Sequence, residues 1–399
     1  MKQYCSKEES KDGMYFKRFL WLMFVYDLSF WFITIGFPTK ESYVYWGVIN
    51  VIIHIYTLSW FSLNFKEYSR FCQVILFMMF LYTIFVFLNF KGEPYSLTSL
   101  LRLMYHPTGF LCFLLPFIIH KFVSCESFYI LVRFVYKQIC IYLLLLIILI
   151  LSNYVLSQES FNDAYERLHL YIGGGIIFLL FFLQYFNKNE KIKILLAAFI
   201  SLVISLILAR RNVIFTYLLL IASLIYINGK LKSDNKVVYI IKVLTLLTFF
   251  AFFLINYFTA LFPTLAERAL DDTRSGVELE IMYVINQKDA LWTGLGLNSF
   301  YYSDYVSEVR DFVETGYLNL IFKGGIIYIA LFISLLIPRL LNGFFREKTK
   351  FSQCSIFYIL LFLASFSASN TTMSFSIRYV VFWFLLLTYY HKRFNYNRL

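Results

Sequence analysis

Two adjacent arginines, Arg210 and Arg211, separate the apolar runs 192–209 and 212–228. A tight turn there would ordinarily use Gly, Asn or Ser. A guanidinium offers a planar fork of donors, stays charged at any relevant pH and matches phosphate oxygens bidentately. The pair therefore reads as an anion clamp at a membrane surface, or as a structural pair with acids such as Asp271. Arg167, Arg268, Arg274, Arg310 and Arg378 also lie in or beside polar breaks. Several of them could converge on one diphosphate. Each taken singly reads equally well as a solvated or salt-bridged residue, and Arg378, at the start of the last apolar run, could instead snorkel.

Glu314 immediately precedes an apolar run that starts at Thr315. A carboxylate at such a junction can act as general base or orient a proton donor, or can stabilise a helix N-terminus through the macrodipole. Asp311, Glu278 and Glu280 are further acids of the same kind. The five histidines, His54, His106, His120, His169 and His391, lack the spacing and partners of a zinc site. No P-loop, dinucleotide fingerprint or Asp-x-Asp pair is present, so neither a metal nor another cofactor is expected. That pattern argues against a soluble sugar-nucleotide transferase and leaves a lipid-linked donor reacting at a membrane surface.

These residues need a frame, and the composition supplies one. Of 399 residues, 60% are hydrophobic and only 15% charged, against roughly 25% charged in soluble domains. A bilayer core of about 30 Å takes about 20 apolar residues per helix. Runs of that size recur at 19–37, 43–64, 71–90, 103–120, 134–156, 170–186, 192–209, 212–228, 240–262, 316–338, 353–369 and 376–390. The expected fold is an all-α polytopic membrane protein with about twelve transmembrane helices, forming a single integral membrane domain over 1–399. The first run follows Lys2, Lys7, Lys11, Lys17 and Arg18 without an Ala-x-Ala cleavage pattern, so it is read as a retained helix. The aromatic content, 21%, is read as lipid-facing bulk and interfacial belts. Six cysteines without a CxxC pair suggest neither a disulfide framework nor a metal knuckle.

Charge orients the helices. Segments 1–18, 66–70, 120–137, 187–193, 229–242, 338–350 and 391–399 hold 24 of the 36 basic residues and 8 acidic ones. Cytoplasmic loops retain basic residues, so this side and both termini are expected in the cytoplasm. The net charge of +12 is scattered between apolar runs rather than gathered on one polar face, which speaks against nucleic acid as a partner. Residues 263–315, between the ninth and tenth runs, form one large polar loop on the opposite side. It is too long for a hairpin and too short for an independent domain, and is expected to cap a cavity. Glu278–Tyr283 and Leu297–Tyr305 read as short surface helices within it.

The stretch from Arg167 to Ile327 resembles the O-antigen polymerase and ligase superfamily of bacterial inner membranes. The resemblance rests on Arg167 before Gly173-Gly174-Gly175, on Ala209-Arg210-Arg211, on Arg274-Ser275-Gly276, on Gly294-Leu295-Gly296, and on Glu314-Thr315-Gly316-Tyr317 with Gly325 beyond. In the ligases the last feature carries a His followed by Asn, Ser or Gln, nine residues and a Gly. Here Glu314-Thr315 stands in that place, which favours a polymerase.

The resemblance implies undecaprenyl-diphosphate-linked oligosaccharides as substrates, with the large loop in the periplasm. It implies that Arg211, or its neighbour Arg210, and Arg274 neutralise the departing diphosphate, while Glu314 takes or orients the acceptor proton. Arg167, Arg268, Arg378 and Tyr317 would be supporting substrate contacts. Membrane lipid and a chain-length regulator protein are the other partners it implies. Three alternatives stay open: an O-antigen ligase acting on lipid A-core; from another class, a lipid-linked oligosaccharide flippase or transporter, expected to show paired half-repeats and broken helices; and a non-catalytic membrane scaffold, which leaves the pair Arg210 and Arg211 unexplained.

Overall fold

A computed structural model describes residues 10–35, 40–89, 91–92, 94–105, 109–152, 158–208, 210–232, 275–305, 307–311, 313, 315–345, 349–368 and 374–394. Helices dominate: α1 (Lys11–Ile35), α2 (Lys40–Leu58), α3 (Arg70–Leu88), α4 (Leu97–Tyr105), α5 (Phe110–Ile119), α6 (Cys125–Ser152), α7 (Gln158–Arg167), α8 (Ile176–Phe181), α9 (Lys188–Ile207) and α10 (Arg211–Lys232). Further along the chain come α11 (Ser275–Gln287), strands β1 (Tyr301–Ser303) and β2 (Glu308–Arg310), then α12 (Gly316–Phe345), α13 (Lys350–Ala368) and α14 (Ile377–Tyr390). By length and composition, three stretches among the described residues can cross a membrane, Arg70–Leu88, Cys125–Leu151 and Gly316–Gly343. Shorter apolar helices cover Gly47–Leu58, Phe110–Phe122, Val213–Gly229, Lys350–Phe366 and Ile377–Tyr390. The protein is thus a helical membrane protein. The ninth expected run, 240–262, lies outside the described residues.

The single membrane domain read from the sequence comprises two compact units: one of residues 1–76, 104–175 and 375–399, the other of 77–103 and 176–374. In the first unit, α5 and α14 pack together and bury every face. Helices apolar all round belong inside a bundle, whereas α2 and α6 keep exposed apolar stripes such as Ile52 with Ile55 and Leu144 with Ile148. Four of the basic segments meet at one end of this unit. Phe16 lies 5.2 Å from Phe122, Ser10 Oγ donates to Glu126, Tyr68 Oη donates to His120 O, and the Lys392 amide donates to Glu67 O.

In the second unit, α13 packs against α10 and α12. α12 and α13 run antiparallel, and a small residue admits the partner at each end: a Cβ on Gly316 would fall 2.5 Å from Phe366 O, and one on Gly343 would fall 2.6 Å from Ile356 Cγ1. Close approach through small residues is how membrane helices gain packing energy without a hydrophobic driving force. α9 begins with a capping box, in which Asn187 Oδ1 accepts from the Glu190 amide (2.9 Å) and Glu190 Oε2 from the Asn187 amide (3.0 Å).

Three expectations are corrected. The 170–186 run is not one helix: a π turn (Leu168–Ile172), a 3₁₀ turn (Gly173–Gly175), α8 and a second 3₁₀ turn (Leu183–Tyr185) follow one another. The 103–120 run divides into the end of α4 and α5. Leu297–Tyr305 contains no helix; Tyr301–Ser303 pairs antiparallel with Glu308–Arg310, Tyr302 opposite Val309. Aromatic residues favour the pleated state, and alternation buries Tyr301 and Ser303 while exposing Tyr302.

The described part of the polar loop also has a core of its own. Val277, Ile281 and Ile285, four residues apart on α11, pack with Leu295, Tyr301 and Val313 and with Leu318 and Phe322 of α12. The expected helix over Glu278–Tyr283 lies within α11.

Candidate functional site

In the first unit, α7 carries Arg167 at its end and leads directly into the π turn that holds His169. Such turns are rare and concentrate at functional sites. The three glycines that follow each face a different wall. A Cβ on Gly173 would fall 2.8 Å from the Tyr142 ring, one on Gly175 would collide with Val135, and one on Gly174 would fall 2.5 Å from Arg378 Cγ. Arg378, the second residue of α14, therefore lays its aliphatic stem across the Gly174 backbone. It is nine-tenths buried, not snorkelling outward. His169 is buried too, stacked on Tyr165 and with Nδ1 3.5 Å from Tyr142 Oη. Arg167 lies within electrostatic range of Tyr171, and Arg378 within that of His169. Two of the anticipated arginines thus flank one distorted segment.

Asp27 in α1 is fully buried, and among the described residues neither carboxyl oxygen completes a hydrogen bond. The Ile377 amide at the start of α14 approaches it. An acid at helix depth inside an apolar run was visible in the sequence, and charges there are ordinarily functional or paired.

In the second unit, the Gly294-Leu295-Gly296 motif has a clear task. α12 breaks at Gly325, whose φ of 70° and ψ of −179° interrupt the helical ladder. Main chain from the loop takes up the freed groups: Ile326 N donates to Leu291 O (3.0 Å), Leu295 N to Phe322 O (2.8 Å) and Gly296 N to Lys323 O (3.0 Å). Irregular backbone in a membrane protein is tolerated where protein supplies such partners. A Cβ on Gly325 would fall 2.5 Å from Gly294 N, and Gly294 itself has φ 71°, so both positions need glycine. Asn89 Nδ2 donates to Gly294 O (2.9 Å), and the buried Lys323 ammonium donates to Leu297 O and Ser299 O, both at 2.9 Å. Lys323 was legible as a charge inside an apolar run, but the sequence reading did not single it out.

The acids of α11 hold the loop. Glu280 accepts from Ser303 Oγ (2.5 Å) and from the Tyr305 amide (3.0 Å), and Glu278 accepts from Thr315 Oγ1. Both carboxylates are engaged in pinning structure, and Glu278 thereby fixes the residue next to Glu314. Arg310 pairs with Glu308 on its own strand.

Of the expected site residues, Glu314, Arg268 and Arg274 lie outside the described residues, as does the side chain of Arg211. Arg211 opens α10, and the half-buried Arg210 forms the turn before it, its amide donating to Ser205 O (2.8 Å). Tyr317 is exposed on the first turn of α12. No group of three or more potential metal-ligating side chains occurs among the described residues. Comparison with protein-family models, with curated proteins and with solved structures finds no match.

Proposed function

We propose that this protein is a membrane-embedded, metal-independent glycosyltransferase that polymerises surface-polysaccharide repeat units of the O-antigen kind. A hydroxyl oxygen of the incoming lipid-linked repeat attacks the anomeric carbon of the growing glycan. The bond from that carbon to the undecaprenyl diphosphate breaks, and the diphosphate leaves with the electron pair. Such a leaving group needs charge neutralisation more than acid catalysis. Arg211, Arg210 and Arg274 supply it in this reading, Glu314 takes or orients the acceptor proton, and Arg167, Arg268, Arg378 and Tyr317 contact substrate. The protein would sit in a bacterial inner membrane with both termini in the cytoplasm and about twelve spans, and the 263–315 loop would cap the cavity on the periplasmic side.

The observation that carries this reading is the burial of Arg378 against Gly174, beside a distorted segment that starts at Arg167. A guanidinium kept from solvent inside an apolar bundle is costly unless it meets an anion or acceptors fixed for it. The test is complementation of a strain lacking the protein with Arg211→Ala, Glu314→Ala and Arg378→Ala. Stable, inserted variants that yield only single-repeat products support the reading. Normal long-chain polysaccharide from all three would sink it, and unlinked long chains in the deletion strain would indicate the ligase instead.

The helix break at Gly325 favours a second reading, a lipid-linked oligosaccharide flippase, because transporters are built around interrupted helices. Repeat units trapped on the cytoplasmic leaflet of the deletion strain would select it. The filling of this break by Leu291, Leu295 and Gly296 backbone supports a fixed structural role.

A further inference from the structure

At one end of the first unit, folding gathers basic side chains from three distant segments. Ser69 N donates to Tyr390 O (2.9 Å), Lys392 N to Glu67 O (2.8 Å) and Lys392 Nζ to Lys66 O (2.9 Å), while Tyr68 Oη reaches His120 O (2.6 Å). Lys66, Arg70, Lys121, Lys392 and Arg393 are all exposed there. The acids of these segments are already occupied: Glu67 pairs with Arg393 at 3.1 Å, and Glu126 accepts from the Ser10 amide and hydroxyl. Among the described residues, no carboxylate lies within ion-pair distance of Lys66, Arg70 or Lys121.

The level of the cluster says what it meets. Arg70 opens α3, and Phe71 and Val74, one and four residues on, are exposed and apolar. Lipid-facing surface therefore begins immediately beside the charges, which puts them at headgroup depth. Lysines there act as point charges and Arg70 as a planar fork, both suited to phosphate oxygens.

We propose that Lys66, Arg70 and Lys121 bind the phosphate headgroup of an anionic phospholipid. This rests on the geometry of the basic end alone and is independent of the polymerase reading.

The test uses the full chain purified in an uncharged detergent, with bound lipid counted by native mass spectrometry as phosphatidylglycerol or phosphatidylcholine is titrated in. Phosphatidylglycerol should bind more tightly. Each neutralised side chain near a surface should weaken it by about fivefold, on the order of a hundredfold for Lys66→Gln/Arg70→Gln/Lys121→Gln. The control Lys188→Gln/Lys193→Gln, on exposed lysines of the other unit, should bind as the wild type does. Equal binding by the triple variant, an equal loss in the control, or displacement of the lipid by equimolar inorganic phosphate would each overturn the proposal. Should the triple variant not purify, Lys121→Gln should lose about fivefold and Lys121→Arg should not; identical affinities in those two would also overturn it.

Discussion

Arg378 reaches its place by crossing Gly174: no side chain larger than hydrogen fits between the 3₁₀ turn and the arginine's methylenes. The glycine triplet and the arginine lie more than two hundred residues apart, yet they form one constellation with His169 and Tyr142.

Replacing Gly174 by Ala should displace Arg378 while leaving the bundle inserted. Overpacking of this kind costs about 1–3 kcal/mol, and under the proposed polymerase function a misplaced guanidinium should cut long-chain product by about tenfold or more. Polysaccharide gels from a complemented deletion strain read this directly. Wild-type chain length with Gly174→Ala would show that the position of Arg378 does not matter to the product.

Glu280→Ala should loosen the β1–β2 hairpin, because Ser303 Oγ and the Tyr305 amide lose their acceptor. The expected cost is about 1–3 kcal/mol. Glu280→Gln keeps one carbonyl oxygen and should lie between. Hydrogen exchange across residues 301–310 measures the difference, and unchanged protection in Glu280→Ala would contradict the assigned role.

Gly325→Ala should lower the melting temperature. A left-handed φ with a neighbouring backbone nitrogen in the way costs about 1–3 kcal/mol, whereas the same change in a regular helix would stabilise by about 0.5–1 kcal/mol. The sign of the shift in a thermal melt decides whether α12 breaks there.

Acid should weaken the junction between the 66–70 loop and the chain after α14. Burial lowers the His391 pKa, with Arg393 adding to this and Glu67 opposing it. The stability this ring confers is complete above the ordinary histidine value of 6.5. It declines as the pH falls below that value, since the unfolded chain then binds the proton first. His391→Gln should therefore show a shallower fall in melting temperature between about pH 7.5 and about pH 5.5. An identical fall in both proteins would rule the residue out as a source of acid sensitivity.

Much of the frame is legible in the residue order. Apolar runs mark helices because backbone in lipid must satisfy itself within each segment. The same logic separates the polar loop from the bundle, whereas Gly294, Gly296 and Gly325 were marked only by the family resemblance. The basic segments 1–18, 66–70, 120–137 and 391–399 were grouped by the alternation of the apolar runs and by their charge, and their described parts meet at one end of the first unit.

The candidate site was legible only in part. Arg378 and Arg167 stood out as charges beside polar breaks, but the partners that give Arg378 its direction did not. His169 and Tyr142 are ordinary residues of apolar stretches until folding joins them to Gly174, which the sequence marked only as part of the glycine triplet of the resemblance.

What the sequence determined alone was the solvent: composition and run length commit the chain to a bilayer and space its helices. Tertiary structure decided which apolar helices face lipid and which, like α5 and α14, are enclosed, because hydropathy cannot tell a lipid tail from a neighbouring side chain. It also decided that Tyr301–Ser303 extends as a strand and that 170–186 is broken. Both depend on hydrogen-bond and packing partners supplied from elsewhere in the chain, which local propensity does not encode.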